Sequence, residues 1–300
     1  MKILFKYYSD KLDAEYFNEP TLKLTSSATL NDPFERIIPR ELSEITQDMY
    51  KGAKIENHSF SRTFNKITND IYIHSCGIVS LSETPRNILM WAHYTNQHKG
   101  ICIGYEREML TKNEKQHSDY PSFYKPIKVN YDNRRFDKFT DSIDGATLND
   151  KRKNILIKSL TTKSNDWIYE KEHRIIIPML DYDDIKYIGR GTFFSDYGNY
   201  IEKTGESSFR VKDSNLEIIY MICTDPDFIF RKKIDKTSLT SIYFGCNIDQ
   251  DYKFNIINMI KSNNHFLNIN LYQMEPDQNE FELIVRPIDI NTEKRVRKLF

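Results

Sequence analysis

The apolar positions of this chain fall in short runs that are separated by polar stretches. Residues 3–8, 77–83, 101–105 and 174–177 are rich in β-branched and aromatic side chains. Short runs of this composition are typical of β-strands, and Pro178 ends the last one because proline cannot donate a hydrogen bond to a neighbouring strand. We therefore expect strands at these four positions, with residues 101–105 in the centre of a sheet.

The last third of the chain has the same short runs and one clear helical pattern. Strands are expected at residues 216–222, 241–245, 267–274 and 281–288. Between them, residues 251–263 place Phe254, Ile257 and Ile260 three residues apart, which predicts an amphipathic helix. Strands and helices that do not alternate regularly indicate an α+β fold.

Two more helices are expected in the middle of the chain. Thr84 followed by Pro85 is a favourable helix start, and this helix should end near Gly100. A second helix should carry Ile155 and Leu160 on its apolar side.

Length and composition limit the classes that the chain can belong to. Its 300 residues fit a single domain, with the polar stretches at residues 106–150 and 181–214 as insertions. Lys plus Arg and Asp plus Glu are both 43, so any contact with nucleic acid requires a local patch. The four cysteines lack zinc-site spacing and are expected to be reduced and buried. No run has the length of a signal peptide or membrane helix, so a cytoplasmic protein without membrane partners is expected.

The stretch at residues 165–178 joins two carboxylates and an arginine to an apolar run. If the extended conformation begins by Glu170, the two-residue period of a strand puts Glu170, Glu172 and Arg174 on one face. Two ionised carboxylates one pleat apart repel each other, and an adjacent guanidinium relieves the repulsion for one of them. This arrangement suits acid–base chemistry or the stabilisation of a cation. An exposed edge strand with a weak ion pair would show the same residues.

Further polar residues are candidates for ligand contacts. Ser80 and Ser82 share one face of their run and leave room for a ligand, although simple exposure explains them as well. Asn31 and Asp32 precede Pro33 in an expected turn, where plain turn chemistry is the alternative. The basic residues that could contact phosphate or nucleic acid are Arg134, Arg135, Lys151 and Arg152.

Four motifs resemble, in the same order, a bacterial family of domains of unknown function that is found among phage-defence and toxin-like genes. They are residues 5–7, residues 31–35, Met90 to Tyr94 with the following Gly100, and the Trp-x-Tyr-Glu-x-Glu-x-Arg motif at residues 167–174. The strand at residues 242–245 fits the C-terminal part of the family. The resemblance covers nearly the whole chain, but the family does not imply an activity.

A more distant resemblance is to ADP-ribosyltransferases, and it implies a split β-sheet core, NAD as substrate and a late Glu-x-Glu motif. On this resemblance Glu172 is the catalytic carboxylate, Glu170 helps to choose the acceptor, and Tyr94 and Arg174 assist. The residues assigned to the dinucleotide are Lys6, Tyr7, Asn31, Asp32, Ser80, Ser82, Trp91 and His93. Lys6 is a departure, because those enzymes usually have Arg or His on the first strand.

The expected function is therefore an NAD-dependent ADP-ribosyltransferase-like toxin or phage-defence effector that modifies a nucleic acid or a protein. An antitoxin protein is a candidate partner. Loss of nicotinamide creates an oxocarbenium-like centre that a carboxylate stabilises, and aromatic rings stack on nicotinamide. Two alternatives remain open. One is a metal-dependent nuclease with Asp32, Glu35, Glu170 and Glu172 around Mg²⁺. The other is a non-catalytic sensor or partner-binding module in which the glutamates pair with Arg174.

Overall fold

The computed structural model describes residues 2–52, 58–115, 117, 120–135, 144–189, 197–266 and 268–289. The strands are β1 Ile3–Tyr8, β2 Thr21–Leu24, β3 Cys76–Ser82, β4 Ile101–Glu106, β5 Phe123–Lys128, β6 Asn130–Tyr131, β7 Thr162–Lys163, β8 Glu172–Pro178, β9 Asp184–Tyr187, β10 Ile201–Lys203, β11 Ser208–Val211, β12 Phe228–Lys233, β13 Leu239–Phe244, β14 Asn270–Pro276 and β15 Leu283–Pro287. The α-helices are α1 Arg40–Gly52, α2 His58–His74, α3 Ile88–Tyr94, α4 Leu148–Leu160, α5 Leu216–Ile222 and α6 Gln250–Lys261.

The larger sheet contains eight strands in the order β15-β14-β13-β4-β1-β3-β8-β5. Strands β13 and β14 pair in parallel, and the other neighbours pair antiparallel. A second sheet is antiparallel in the order β10-β11-β9-β12-β2, and β6 and β7 form a separate parallel pair. This mixture of sheets and helices confirms the α+β class.

The hydrophobic core has three parts. The largest part contains side chains of both sheets, including Ile103 and Ile175 from one and Phe230 from the other. Helices α1, α2 and α4 cover the β3–β8 region through a second cluster that includes Leu156. Helix α3 packs on β1 and β4 through a third cluster around Trp91. Three cysteines are buried, Cys246 is half-buried, and all four are free thiols.

Strands β1 and β3 are neighbours in the larger sheet, but they pair at a single position, Phe5 with Ser82. Strand β1 pairs with β4 along its whole length. Four residues further back on β3, Ile78 instead exchanges two backbone hydrogen bonds with Thr25, which follows β2. Strand β3 therefore changes partner between Ser82 and Ile78. We call this region, at the junction of the two sheets, the fork.

Two sequence-based expectations about helices were wrong. Residues 216–222 form helix α5 and not a strand, because the Asn215 side chain accepts hydrogen bonds from the backbone of Glu217 and Ile218 and caps the helix. The helix expected from Thr84 to Gly100 spans only Ile88–Tyr94, since Asn87 provides the cap. In both places the capping side chain and the packing determine where the helix forms, and the composition of the local sequence does not.

The polar stretches expected as insertions contribute strands. Residues 106–150 supply β5 to one edge of the larger sheet, and residues 181–214 supply β9, β10 and β11 to the second sheet. Parts of both stretches lie outside the described residues. Within the described residues, no helix is both long and apolar enough to cross a membrane.

Candidate functional site

A cavity of about 350 Å³ lies at the fork. Its walls are formed by Phe5, Lys6, Tyr7, Lys23, Thr25, Thr29, Leu30, Asn31, Ser80, Leu81, Ser82, Met90, Tyr94, Lys163, Glu170, Glu172 and Arg174. All the residues assigned to catalysis from the sequence line this cavity, together with Lys6, Tyr7, Asn31, Ser80 and Ser82 of the dinucleotide group. The structure therefore brings most of the candidate residues into one place.

Arg174 is the centre of a buried charge network on one side of the cavity. Its guanidinium donates to both carboxylate oxygens of Glu172, at 2.8 and 3.0 Å. It also donates to Oε1 of Glu35 and, at 2.7 Å, to the backbone oxygen of Leu160. Arg174 is only 1% exposed and the two glutamates are 4% exposed. Strand β8 is thus a buried strand between β3 and β5, and the alternative of an exposed edge strand is wrong.

Glu170 belongs to a second group of contacts that meets the first at Lys163. The Lys163 ammonium lies 2.7 Å from Glu170 Oε2 and 3.5 Å from Glu172 Oε2, and 4.5 Å from the centre of the Trp167 ring. The Tyr94 hydroxyl donates to Glu170 Oε1 at 2.5 Å, and Asn31 donates to that hydroxyl at 2.7 Å. The two glutamates therefore share one lysine and differ in their second partner.

The convergence of the two glutamates does not arise from the strand period alone. Glu170 ends a short 3-10 turn, Lys171 has a left-handed φ of 45°, and the strand begins at Glu172. Ser82 holds the turn by donating to the Glu170 backbone oxygen at 2.7 Å, and Tyr131 accepts from the Glu172 amide at 2.8 Å. The expectation that extended backbone begins by Glu170 was wrong, although its carboxylate still reaches the cavity.

The network fixes the charge of Glu172. Burial would raise the pKa of its carboxyl, but the nearby charges of Arg174 and Lys163 outweigh burial and lower the pKa from 4.5 to about 2. Glu35 behaves in the opposite way, because burial raises its pKa and the two cations compensate only in part. In addition, Glu35 Oε2 is buried and has no hydrogen-bond partner in the described residues. Glu172 is therefore an anion at every physiological pH.

This pKa difference predicts an acid-dependent loss of stability. A depressed folded-state pKa contributes stability above the unfolded value near 4.5, which is lost as pH falls toward the folded value near 2. Glu172 should contribute about 3 kcal/mol at neutral pH, since each pH unit corresponds to about 1.4 kcal/mol. The free energy of unfolding, measured by urea denaturation at several pH values between neutral pH and pH 3, reports this loss. The double variant Glu172→Gln, Arg174→Met should show a flatter profile, and an unchanged profile would contradict the assignment.

Two further lysines, Lys6 and Lys23, line the cavity. Lys6 Nζ donates to the backbone oxygen of Ser80 at 3.1 Å, and Lys23 reaches the cavity from β2. Neither forms an ion pair within the described part of the chain. Burial, and then the charge of Lys23, lower the pKa of Lys6 from 10.5 to about 8, against the opposing influence of Glu172. The cavity therefore contains carboxylates that are paired with Arg174 or Lys163, together with two ammonium groups that form no ion pair among the described residues.

Three residues that the sequence assigned to the dinucleotide lie elsewhere. Trp91 is fully buried, packs edge-on against Tyr7 and donates from its ring nitrogen to the Pro85 backbone oxygen. His93 is exposed, with its ring 6.3 Å from that of Tyr169. Asp32 is buried and caps the turn at Pro33–Arg36, as plain turn chemistry predicts. These three side chains therefore do not line the cavity.

Asp32 lies in a neighbouring pocket of about 430 Å³ that is separated from the cavity by Lys163. Its lining residues are Asp32, Phe34, Glu35, Asp132, Asn133, Arg135, Ser159, Thr162, Lys163, Ser164 and Asp166. Carboxylates outnumber cations in this pocket. We call it the acidic pocket.

The four basic residues do not form one patch. Arg134 and Arg135 line a third pocket beside α4, where Arg135 donates to the Ile37 backbone oxygen at 2.7 Å. The Arg152 guanidinium instead lies 3.8 Å above the Tyr72 ring and is half-buried. Arg152 is therefore committed to packing, and Lys151 is half-buried near the start of the same helix.

The carboxylates proposed for the metal-dependent alternative are already compensated by cations. Glu35 and Glu172 bind Arg174, and Glu170 binds Lys163, so a metal ion would have to displace these side chains. In the part of the chain that the structure describes, no three His, Cys, Asp or Glu side chains are placed to share a metal ion.

Sequence reasoning missed Lys163, Lys23 and Tyr131. Lys163 follows α4 in the two-residue strand β7, and Lys23 alternates with buried leucines on β2, so both resemble ordinary solvated residues locally. Lys163 reaches the glutamates through the turn that follows β7, and Lys23 reaches the cavity through the packing of β2, and no local pattern signals either contact.

No curated protein and no solved structure matches the chain. A segment that starts inside α3, includes β4 and all of residues 167–174, and ends inside β8 matches a family model. This is the model of the family described as Protein of unknown function (DUF2971), which covers residues 90–175.

Proposed function

We propose that the cavity binds NAD and that the protein is an ADP-ribosyltransferase-like enzyme. The observation that supports this most is the convergence of Glu170 and Glu172 with Lys6 and Lys23, which form no ion pair among the described residues. A dinucleotide carries a cationic ring at one end and a diphosphate in its middle. A cavity lined by both carboxylates and ammonium groups is complementary to both.

The size and the apolar walls of the cavity are compatible with part of a dinucleotide. Its volume of about 350 Å³ is at the lower end of the range of about 300–1,000 Å³ for small-molecule sites. Phe5, Tyr7 and Tyr94 supply aromatic surface, and such rings stack on planar heterocycles. Lys6 and Lys23 would contact the phosphates.

The residues have distinct roles in this proposal. Bound NAD supplies a glycosidic bond whose cleavage leaves positive charge on the ribose. Glu172, held ionised by Arg174 and Lys163, would stabilise that charge. Glu170 would accept the proton of the attacking hydroxyl, since each of its oxygens keeps a lone pair beside its Tyr94 or Lys163 contact. Tyr94 would hold Glu170 in place.

The acceptor and the biological setting are also proposals. A protein acceptor would approach through the acidic pocket, which adjoins the cavity at Lys163, whereas a nucleic-acid acceptor would require a basic surface. A role as a toxin or phage-defence effector, with an antitoxin protein as partner, is supported by the motif resemblance.

Addition of NAD should raise the midpoint of thermal unfolding, because a ligand that binds only the folded state stabilises it. At a hundredfold excess over Kd the gain is about 2.7 kcal/mol. Nicotinamide release should accompany binding. Tyr94→Phe should slow release by about 10- to 100-fold, because it removes a hydrogen bond to a charged group worth about 1.5–3 kcal/mol.

Tyr200→Phe is the matched control, since Tyr200 is 47% exposed and lies outside the cavity. It should leave both the midpoint shift and the release rate unchanged. Absence of any shift at millimolar NAD, together with absence of nicotinamide release, would refute the proposed function.

A further inference from the structure

Lys6 is half-buried on β1 at the fork, where it lines the cavity. Among the described residues, its ammonium donates to a neutral backbone oxygen, that of Ser80, and forms no ion pair. Every carboxylate of the cavity is instead bound to Arg174 or Lys163. Ammonium groups that are removed from water are usually paired with an anion, because removing the charge from water is costly. In the described part of the chain, Lys6 therefore lacks the direct anionic partner that would hold its amine protonated.

The groups that face Lys6 come from every element around the cavity. Lys23 reaches it from β2 and opposes its charge, whereas Glu172 on β8 favours its charge. The other titratable groups on the walls are Tyr7, Tyr94, Lys163, Glu170 and Arg174. The carboxylates of the cavity are neutralised by Arg174 and Lys163. The surroundings of Lys6 therefore favour its neutral amine more than water does.

We propose that Lys6 is a reactive amine that forms an imine with a small carbonyl compound carrying a carboxylate or phosphate. The amine attacks the carbonyl carbon, a carbon–nitrogen bond forms, and the carbonyl oxygen leaves as water. The atoms balance without an oxidant or reductant. The Lys23 ammonium would bind the anionic group, and the ionised Glu172 would stabilise the positive charge of the protonated imine.

This reactivity differs from the proposed transferase reaction and does not depend on it. A lysine with a pKa of about 8 holds about 300-fold more neutral amine near neutral pH than one at the usual value of 10.5. Neutral amine is the nucleophilic form. Lys6 should therefore react far ahead of exposed lysines, and with anionic carbonyl compounds ahead of neutral ones.

The test is reductive labelling of the full chain in the absence of NAD. Glyoxylate and glycolaldehyde have nearly the same size, but only glyoxylate carries a charge, and glycolaldehyde phosphate distinguishes phosphate from carboxylate. Each is added with cyanoborohydride near neutral pH, and the labelled lysines are located by peptide mass mapping. Lys6 should be labelled at least about tenfold faster than the exposed Lys99, with a rate that is half-maximal near pH 8.

Two variants complete the test. Lys6→Arg keeps the charge and should remove the rapid label, whereas the matched Lys99→Arg should retain it. Lys23→Gln should abolish the preference for the anionic aldehydes. Labelling of Lys6 no faster than Lys99 in the wild-type protein would overturn the proposal without any variant. Equal rates for glyoxylate, glycolaldehyde phosphate and glycolaldehyde would overturn the anionic specificity. NAD binding is measured separately, so a failure here leaves the transferase proposal to its own test.

Discussion

Replacing Arg174 by methionine should destabilise the fold by about 3–5 kcal/mol. The substitution removes the cation that binds Glu172 and Glu35, and the two buried carboxylates then have only the Lys163 charge nearby to compensate them within the described residues. Methionine fills a similar volume. The lost stability therefore comes mainly from charge and hydrogen bonding and not from an empty cavity in the core. The free energy of unfolding from urea denaturation measures the effect.

A matched substitution separates this effect from the general loss of an arginine. Arg40 pairs with Glu44 at 2.7 Å on α1, but its side chain is 78% exposed. Arg40→Met should therefore cost no more than about 0.5 kcal/mol. The double variant Glu172→Gln, Arg174→Met should be less destabilised than the sum of the two single variants, because both members of the pair are removed. If Arg174→Met lay within about 1 kcal/mol of wild type, the buried network would not stabilise the fold as described.

Glu170→Gln should reduce steady-state nicotinamide release, with water as the acceptor, by about 10²–10⁴-fold. The amide cannot accept a proton, which is the role proposed for Glu170. The fold should survive, because the amide oxygen still accepts from Tyr94 and Lys163 keeps its contact with Glu172. KM for NAD should change little, since the proposed role of Glu170 lies in the reaction step.

The matched control is Glu108→Gln, which alters an exposed Glu–Lys pair of 2.9 Å far from the cavity lining. It should release nicotinamide at the wild-type rate. Wild-type turnover in Glu170→Gln would remove this residue from the mechanism and leave its carboxylate as a structural partner of Lys163. A collapse of the unfolding midpoint in Glu170→Gln would point to the same structural role.

The sequence predicts the long apolar strands well, because buried strands are rich in apolar residues. Strand β1 has the predicted bounds, and β4 is buried in the centre of its sheet as expected. The short strands β6, β7 and β10 contain two or three residues, many of them polar, and take their conformation from their partners. Such strands carry no periodic signal, so they are found only in three dimensions.

Part of the candidate site could also be predicted from the sequence. Glu172 and Arg174 are two residues apart and their contact is local, whereas Glu170 meets them through Lys163. Their compensation is not local, since Glu35 is 139 residues from Arg174 and meets it only through the fold. A sequence shows which charges are neighbours along the chain, but it does not show which lysine neutralises them.

The contact between Lys6 and the Ser80 carbonyl changes how mutations at the fork should be understood. Backbone pairing between strands works with almost any side chain, so most sheet positions tolerate substitution without losing a hydrogen bond. At Ser80 the backbone oxygen accepts from a side-chain ammonium, two residues from the single position at which β1 and β3 pair. This link between the two strands therefore depends on the identity of residue 6, and a substitution there would remove it.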